Sequence, residues 1–371
     1  MKPSPRTSWP HGLIGMLALV VAIETGISLQ PLRFLETASL SWRLAAEAVP
    51  READRVEVAC LGDSLVKIGV IPEVIREGSG QSAYNFAMAQ APAPATYFLF
   101  RRLIEAGAKP SALVIDFKPS ILAGGPKFSM RHWQTILSPR ETFELAIDSR
   151  SPAMLCEIML GQLLPTYRDR FEIRQAIVAA LQGEIAPNYA TNRLAFRSWS
   201  LNQGAHLNSP RNEFSGSVSA EIHQKMLSEQ WKPHRINTLS IDRLLALAES
   251  RQIPVYWLIP PLAPELQKRR EQTGVDADFE QFVRSMQAQH PGVTVVDGRH
   301  AGYDASTFAD HTHLNGRGAI TFSHDLAMIL KHASPGNRWV SLPRFRNGTS
   351  TLALEDIEQT RYVIESETVR R

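Results

Sequence analysis

The sequence predicts an α/β protein in which helices cover both faces of a parallel sheet of five strands. Three observations carry that prediction. Five short runs rich in branched and aromatic residues recur at 56–61, 83–86, 112–117, 254–259 and 293–296. They are largely continuous apolar segments, the pattern of strands buried on both faces. Amphipathic helical patterns accompany them at 71–77, 96–106, 241–251 and 279–290, and strands alternating with helices build parallel sheets. The composition, 44% hydrophobic and 21% charged over 371 residues, supports a full core and excludes a disordered or collagen-like chain.

Taken in order, the chain opens with Lys2 and Arg6 ahead of an apolar run at 12–29, in which Glu24 is the only charge. That length crosses a bilayer, and basic residues before it keep the N-terminus in the cytoplasm and send the rest outward. A cleaved signal peptide is the rival reading. No small-x-small cleavage site follows directly, which favours an uncleaved anchor over residues 1–30. Residues 31–54, with Leu35, Leu40, Trp42 and Leu44 among polar neighbours, read as a helical stalk or an interfacial helix before the folded domain. Residues 55–119 then carry three strands and two helices, and 236–333 carry two more strands and a closing helix at 315–332 that sets Phe322, Leu326, Ile329 and Leu330 on one face.

The alternation breaks at 120–235, which shows helical patterns at 140–147 and 168–181 but no strand, together with Trp133, Trp199 and Trp231. This is read as a mainly helical insertion after the third strand, serving as extra packing or as a lid over the sheet's carboxyl edge. Residues 334–371 read as a loosely ordered charged tail, with a glycosylation-type sequon at Asn347-Gly348-Thr349.

Charge and cysteine counts narrow the function. Forty basic against 37 acidic residues give +3, which leaves no nucleic-acid footprint. Two cysteines, Cys60 and Cys156, make neither a disulfide scaffold nor a zinc cluster, and both read as core residues. No cofactor is expected.

The first strand ends at Gly62-Asp63-Ser64. In a parallel sheet, ligands bind beyond the carboxyl ends of the strands, so a serine there meets the crevice. Gly62 permits a tight turn, and the backbone N–H groups that follow can face an oxyanion. Asp63 is read as structuring that turn, with contact to substrate as the lesser alternative. After the last strand comes Phe308-Ala309-Asp310-His311-Thr312-His313-Leu314-Asn315. A serine needs a base to remove its proton, and histidine titrates in the right range. Asp310, three residues before His313, can reach its Nδ1 and hold the tautomer. Ser64, His313 and Asp310 are therefore the expected nucleophile, base and orienting acid. His311 beside them suggests a metal, but no third ligand stands at a telling spacing, so it is read as a loop residue or substrate contact. Arg131-His132-Trp133 and Arg317 are the basic groups considered for a carboxylated glycan.

Gly62-Asp63-Ser64 with Asp310-x-x-His313 resembles the SGNH (GDSL) hydrolase superfamily, over residues 55–119 and 236–333. Tyr84-Asn85-Phe86-Ala87-Met88, Ile259-Pro260-Pro261 and the segment around Asp310 are similar to its exported, membrane-anchored branch, related to polysaccharide O-acetyltransferases and the D-alanine transfer protein of teichoic acids. The resemblance implies a flavodoxin-like three-layer sandwich and acyl-ester chemistry at Ser64. It also exposes departures. The superfamily commonly has an oxyanion glycine after the second strand and an asparagine after the third. Here Ala87, Ala89 and Gln90 follow the second, and Ile115-Asp116-Phe117-Lys118-Pro119 ends the third. Asn85 or Lys118 is left to supply the second oxyanion donor.

The expectation is a single-pass, extracytoplasmic serine esterase or O-acyltransferase acting on acyl esters, chiefly acetyl esters, of a cell-surface polysaccharide. Its partners would be the membrane, through the N-terminal helix, and envelope-biosynthesis proteins. The rival from another class is a catalytically inactive scaffold or glycan-binding module. A lipid or thioester hydrolase is a third reading.

Overall fold

The computed structural model describes residues 11–215, 230–332, 336–346 and 354–369, with side chains through 364. Lys2, Arg6, the Asn347 sequon and the terminal arginines lie outside the described residues.

The chain begins with α1 (His11–Ser28), α2 (Pro31–Phe34) and α3 (Thr37–Glu52). It continues through β1 (Val58–Leu61), α4 (Ser64–Gly69), α5 (Pro72–Ser79), β2 (Ala83–Asn85), α6 (Ala93–Glu105) and β3 (Ala112–Asp116). A helical stretch follows: α7 (Pro119–Ala123), α8 (Met130–Ile136), α9 (Pro139–Asp148), α10 (Pro152–Leu163), α11 (Pro165–Arg168), α12 (Arg170–Gln182) and α13 (Pro187–Leu201). The alternation then resumes with α14 (Arg235–Ser250), β4 (Val255–Ile259), α15 (Pro264–Gln272), α16 (Val275–Gln289), β5 (Val293–Asp297), α17 (Gly316–His332), β6 (Arg338–Ser341) and α18 (Ile357–Val369).

The fold is α/β, with every strand pairing parallel in the order β2-β1-β3-β4-β5-β6. Successive strand residues point to opposite faces, and the two cores show this directly. Ala59, Leu61, Leu113, Ile115, Val255, Trp257 and Val295 join one core with α3, α6, α14 and α16. Val58, Cys60, Val114, Tyr256, Leu258 and Val296 join the other with α5 and α17. The strand order reverses at β1, with β2 laid on one side and β3 on the other, and the β1/β3 switch point is where a parallel sheet opens its ligand crevice.

Six strands stand where five were expected. β6 lies in the stretch read as a loose tail, with Thr294 opposite Arg338 and Asp297 opposite Ser341. It is a short, half-exposed edge strand with a charged residue at its start, so it lacks the apolar run that marks a central strand. Trp339 anchors it by donating Nε1–H to Asp297 Oδ2 at 3.0 Å. Farther along the tail, Ile357 N–H donates to Leu207 O at 3.0 Å, and Glu355 pairs with Arg197 on α13 at 2.8 Å.

The segment expected to stand off as a stalk is part of the domain. In α3, Leu40, Trp42, Leu44, Ala45, Ala48 and Val49 are buried, and Trp42 Nε1–H donates to Ala89 O at 2.7 Å. α1 is long and apolar enough to cross a membrane, with mean hydropathy 1.6 and no buried residue. Glu24 near its end accepts from Thr166 N–H at 2.8 Å and from the Thr166 hydroxyl, which fastens α1 to α11.

The stretch 120–235 is helical, with no strand among its described residues. It is fixed to the domain by Arg102–Glu141, Arg101–Glu144 and Arg243–Asp148 ion pairs and by Trp231 Nε1–H donating to Pro119 O at 2.7 Å. Cys60 is buried as expected, but Cys156 is exposed. α10 buries Met154, Ile158 and Gly161, a three-to-four-residue spacing that turns Cys156 away from the core.

Candidate active site

Ser64 is the first residue of α4, directly beyond β1. Gly62 has φ +141°, and a Cβ there would sit 1.9 Å from Asp116 Oδ1, so the turn requires glycine on both counts. Asp63 clamps it. Its Oδ1 accepts from Leu65 N–H at 2.8 Å, its Oδ2 from Lys118 N–H at 3.0 Å, and its own N–H donates to Asp116 Oδ1 at 2.9 Å. Burial, and then the nearby charge of Asp63, push the Asp116 carboxyl well above the ordinary range. The turn that carries Ser64 is thus bolted to the end of β3 through two carboxyl groups.

The other half of the site comes from the loop between β5 and α17. Phe308 and Leu314 bridge antiparallel, and Ala309 N–H donates to His313 O at 2.8 Å. This folds Asp310 and His313 onto one tip. His313 Nε2 lies 2.8 Å from Ser64 Oγ, and His313 Nδ1 lies 2.7 Å from Asp310 Oδ2. Asp310 Oδ1 accepts from Thr312 N–H at 2.7 Å, His313 N–H at 2.9 Å and the Thr312 hydroxyl at 3.1 Å. Burial alone would raise the Asp310 carboxyl. The His313 hydrogen bond and charge, joined by the two backbone N–H groups, outweigh it and hold the group below the usual carboxylate range. An ionised Asp310 can only accept, so the proton of neutral His313 sits on Nδ1 and Nε2 is free to accept from Ser64. The expected serine, histidine and acid are brought together in that order.

The remaining expected site residues divide. Asp63 is a turn residue and the N-cap of α4. Asn85 is fully buried and fully occupied: Nδ2 donates to Val66 O at 2.9 Å and Val70 O at 2.8 Å, and Oδ1 accepts from Ala87 N–H at 3.0 Å. It ties off the end of α4 and has no donor left for an oxyanion. Lys118 is held at the turn by its backbone N–H on Asp63 Oδ2; burial lowers its ammonium pKa, while the charges of Asp63, Asp310 and Asp116 pull it back up. His311 takes no part in the serine–histidine–acid bonds. Its carbonyl accepts from Ala263 N–H at 3.2 Å, and its ring centroid lies 6.4 Å from that of Phe214. Burial shifts its pKa down. Arg131-His132-Trp133 is structural: Arg131 pairs with Glu172, His132 bonds Ser39, and Trp133 is fully buried. Among the described residues, no group of three His, Cys, Asp or Glu side chains could hold a metal ion.

Three residues beside the triad were not singled out in the sequence. Lys67 follows Ser64 by three positions, so both lie on one face of α4. Its ammonium donates to Gly204 O at 3.3 Å, and burial pushes its pKa down to about 8. His206 donates its N–H to Lys67 O at 2.9 Å, and burial, then the charges of Lys67 and His313, push its ring down to about 4. Asn315 braces the histidine loop against the helical stretch, donating to Ser306 O at 2.7 Å and Asn212 O at 2.9 Å. The i,i+3 spacing could have flagged Lys67. His206 and the Asn212 contact depend on chain folding from far away and leave no local signal.

No family model matches this chain, and no curated protein matches its sequence.

Proposed function

We propose that the protein is a serine-dependent acyl-transfer enzyme of the SGNH type, an esterase or O-acyltransferase acting on acyl esters of a surface polysaccharide. One observation carries the reading: the continuous hydrogen-bonded line from Ser64 Oγ through His313 to Asp310. The strand order and the two helix-covered faces support a flavodoxin-like three-layer description. α1 supports a single-pass anchor, and the basic Lys2 and Arg6 ahead of it support a domain outside the cytoplasm.

In the proposed reaction His313 Nε2 takes the hydroxyl proton as Ser64 Oγ attacks the acyl carbon. The Ser64 N–H, first in its helix and so without an intrahelical acceptor, faces the developing oxyanion. His313 returns the proton to the departing alcohol oxygen as the ester C–O bond breaks, leaving an acyl-serine. Water or a sugar hydroxyl, deprotonated by the same nitrogen, then takes the acyl group. The charge that forms on His313 is stabilised by ionised Asp310. Lys118 adds positive charge beside the site.

The test is mass-resolved labelling of the full chain with a fluorophosphonate probe. Labelling at Ser64 that is lost in His313→Ala supports the reading. A folded protein that neither labels nor turns over any ester favours the second reading, an inactive scaffold, which is motivated by the engagement of the Asn85 amide elsewhere.

A further inference from the structure

We propose that the site is built for an acyl chain longer than acetyl, lodged in an apolar cleft beside the nucleophile. The inference rests on the acyl-serine chemistry above and adds the class of acyl group. A cleft of about 310 Å³, with Ser64 in its wall, opens between α3, α4 and α13. Leu40, Leu44, Ile68, Ala195 and Trp199 supply the apolar surface.

Size is the first argument. A water-sized group occupies about 30 Å³, so the cleft holds roughly ten such groups, whereas an acetyl group puts one methyl beyond its carbonyl. Chemistry is the second. A sugar ring needs many hydrogen bonds, and a buried polar group without one is costly. The polar side chains in this wall are largely committed elsewhere. The Thr37 hydroxyl donates to Asn192 Oδ1 at 2.8 Å, Ser41 Oγ accepts from Ala89 N–H at 3.2 Å, and Lys67 donates to Gly204 O at 3.3 Å. Apart from the His206 ring and the Trp199 Nε1–H, what the wall offers a ligand is hydrocarbon, adjacent to the atom that would carry the acyl group.

The experiment compares kcat/KM of the full chain for p-nitrophenyl acetate, butyrate and octanoate, with Ala195→Trp and Ala38→Leu as cleft-filling variants. Full burial of a methylene is worth about fourfold, so butyrate, two methylenes longer, should exceed acetate by about fifteenfold, with octanoate at least as fast. Each variant should lower the octanoate-to-acetate ratio by tenfold or more relative to the parent, a comparison in which partitioning of each ester into detergent cancels. Two independent substitutions protect against one failing to fold. Acetate as the best substrate, or ratios unmoved by both variants, overturns the proposal. Calorimetric binding of the same esters to Ser64→Ala separates the two readings. Octanoate binding without turnover in the parent keeps the cleft and discards the chemistry. Turnover without chain-length preference keeps the chemistry and discards the cleft.

Discussion

Asp310→Asn is the most informative single substitution, because the structure dictates how the new amide must sit. Asp310 Oδ1 accepts three hydrogen bonds, from Thr312 N–H, His313 N–H and the Thr312 hydroxyl. Only a carbonyl oxygen can take that position, so the asparagine NH₂ must occupy the Oδ2 position, 2.7 Å from His313 Nδ1. Facing a donor, Nδ1 becomes the acceptor and the ring proton moves to Nε2. Nε2 lies 2.8 Å from Ser64 Oγ and then has no lone pair for the serine proton. The geometry survives while the base is lost. In a serine protease triad the same exchange costs about 10⁴-fold in kcat, or roughly 5.5 kcal/mol of transition-state stabilisation, and a comparable loss is expected here. The assay is the rate of phosphonylation of Ser64 by a fluorophosphonate, with thermal unfolding to establish that the variant folds. Retention of activity within tenfold, in a folded protein, refutes the tautomer argument.

Three further outcomes are expected. Asp310 has a folded-state pKa depressed below its unfolded value. It therefore contributes stability that is present above the ordinary carboxylate range and lost as pH falls through and below that range. Tm measured from pH 6 downward should fall less steeply in Asp310→Asn, and parallel curves would contradict the assignment. Asn85→Ala removes three hydrogen bonds at a fully buried position and should destabilise by about 2–4 kcal/mol, while the labelling rate per folded molecule changes only a few-fold. An unchanged Tm with a hundredfold slower rate would instead make Asn85 an oxyanion donor. Gly62→Ala combines left-handed φ with a Cβ 1.9 Å from Asp116 Oδ1. It should cost about 2–5 kcal/mol and abolish labelling, and a normal Tm would show that the turn can relax.

Much of this site is legible in the sequence because its parts sit where local signals are strongest. Ser64 follows a strand and a glycine, and Asp310 and His313 are three apart on one loop, so each half is visible within a few residues. The sheet is legible for the same reason, since its central strands are apolar on both faces. What escaped detection depends on distant contacts. β6 is an edge strand that pairs with β5 across α17 and exposes half its residues. α3 has an ordinary amphipathic pattern, and nothing in that pattern says whether the apolar face meets lipid, a partner or the domain's own α6 and α8. Asn85 ends a strand as an oxyanion donor would, and only its two carbonyl acceptors, Val66 on α4 and Val70 just beyond it, reveal its other employment. The cleft wall from α13 is more than a hundred residues from Ser64, and no periodicity encodes that approach.

The Glu24–Thr166 contact has a consequence for reach. An active site on a flexible tether explores a radius that grows as the square root of the tether's length, about 5–6 Å for the first residue and more with each addition. Here that freedom is removed. α1 ends at Ser28, α2 fills half of the interval before α3, and α3 is already inside the core by Leu40. Glu24 closes the remaining slack by joining α1 to the helical stretch that also walls Ser64. With α1 in a bilayer, Ser64 would hold a fixed height and orientation above the surface. A site so held would work like a tool in a vice: ligands would have to be delivered to it, because it would not sweep the space around its anchor to find them.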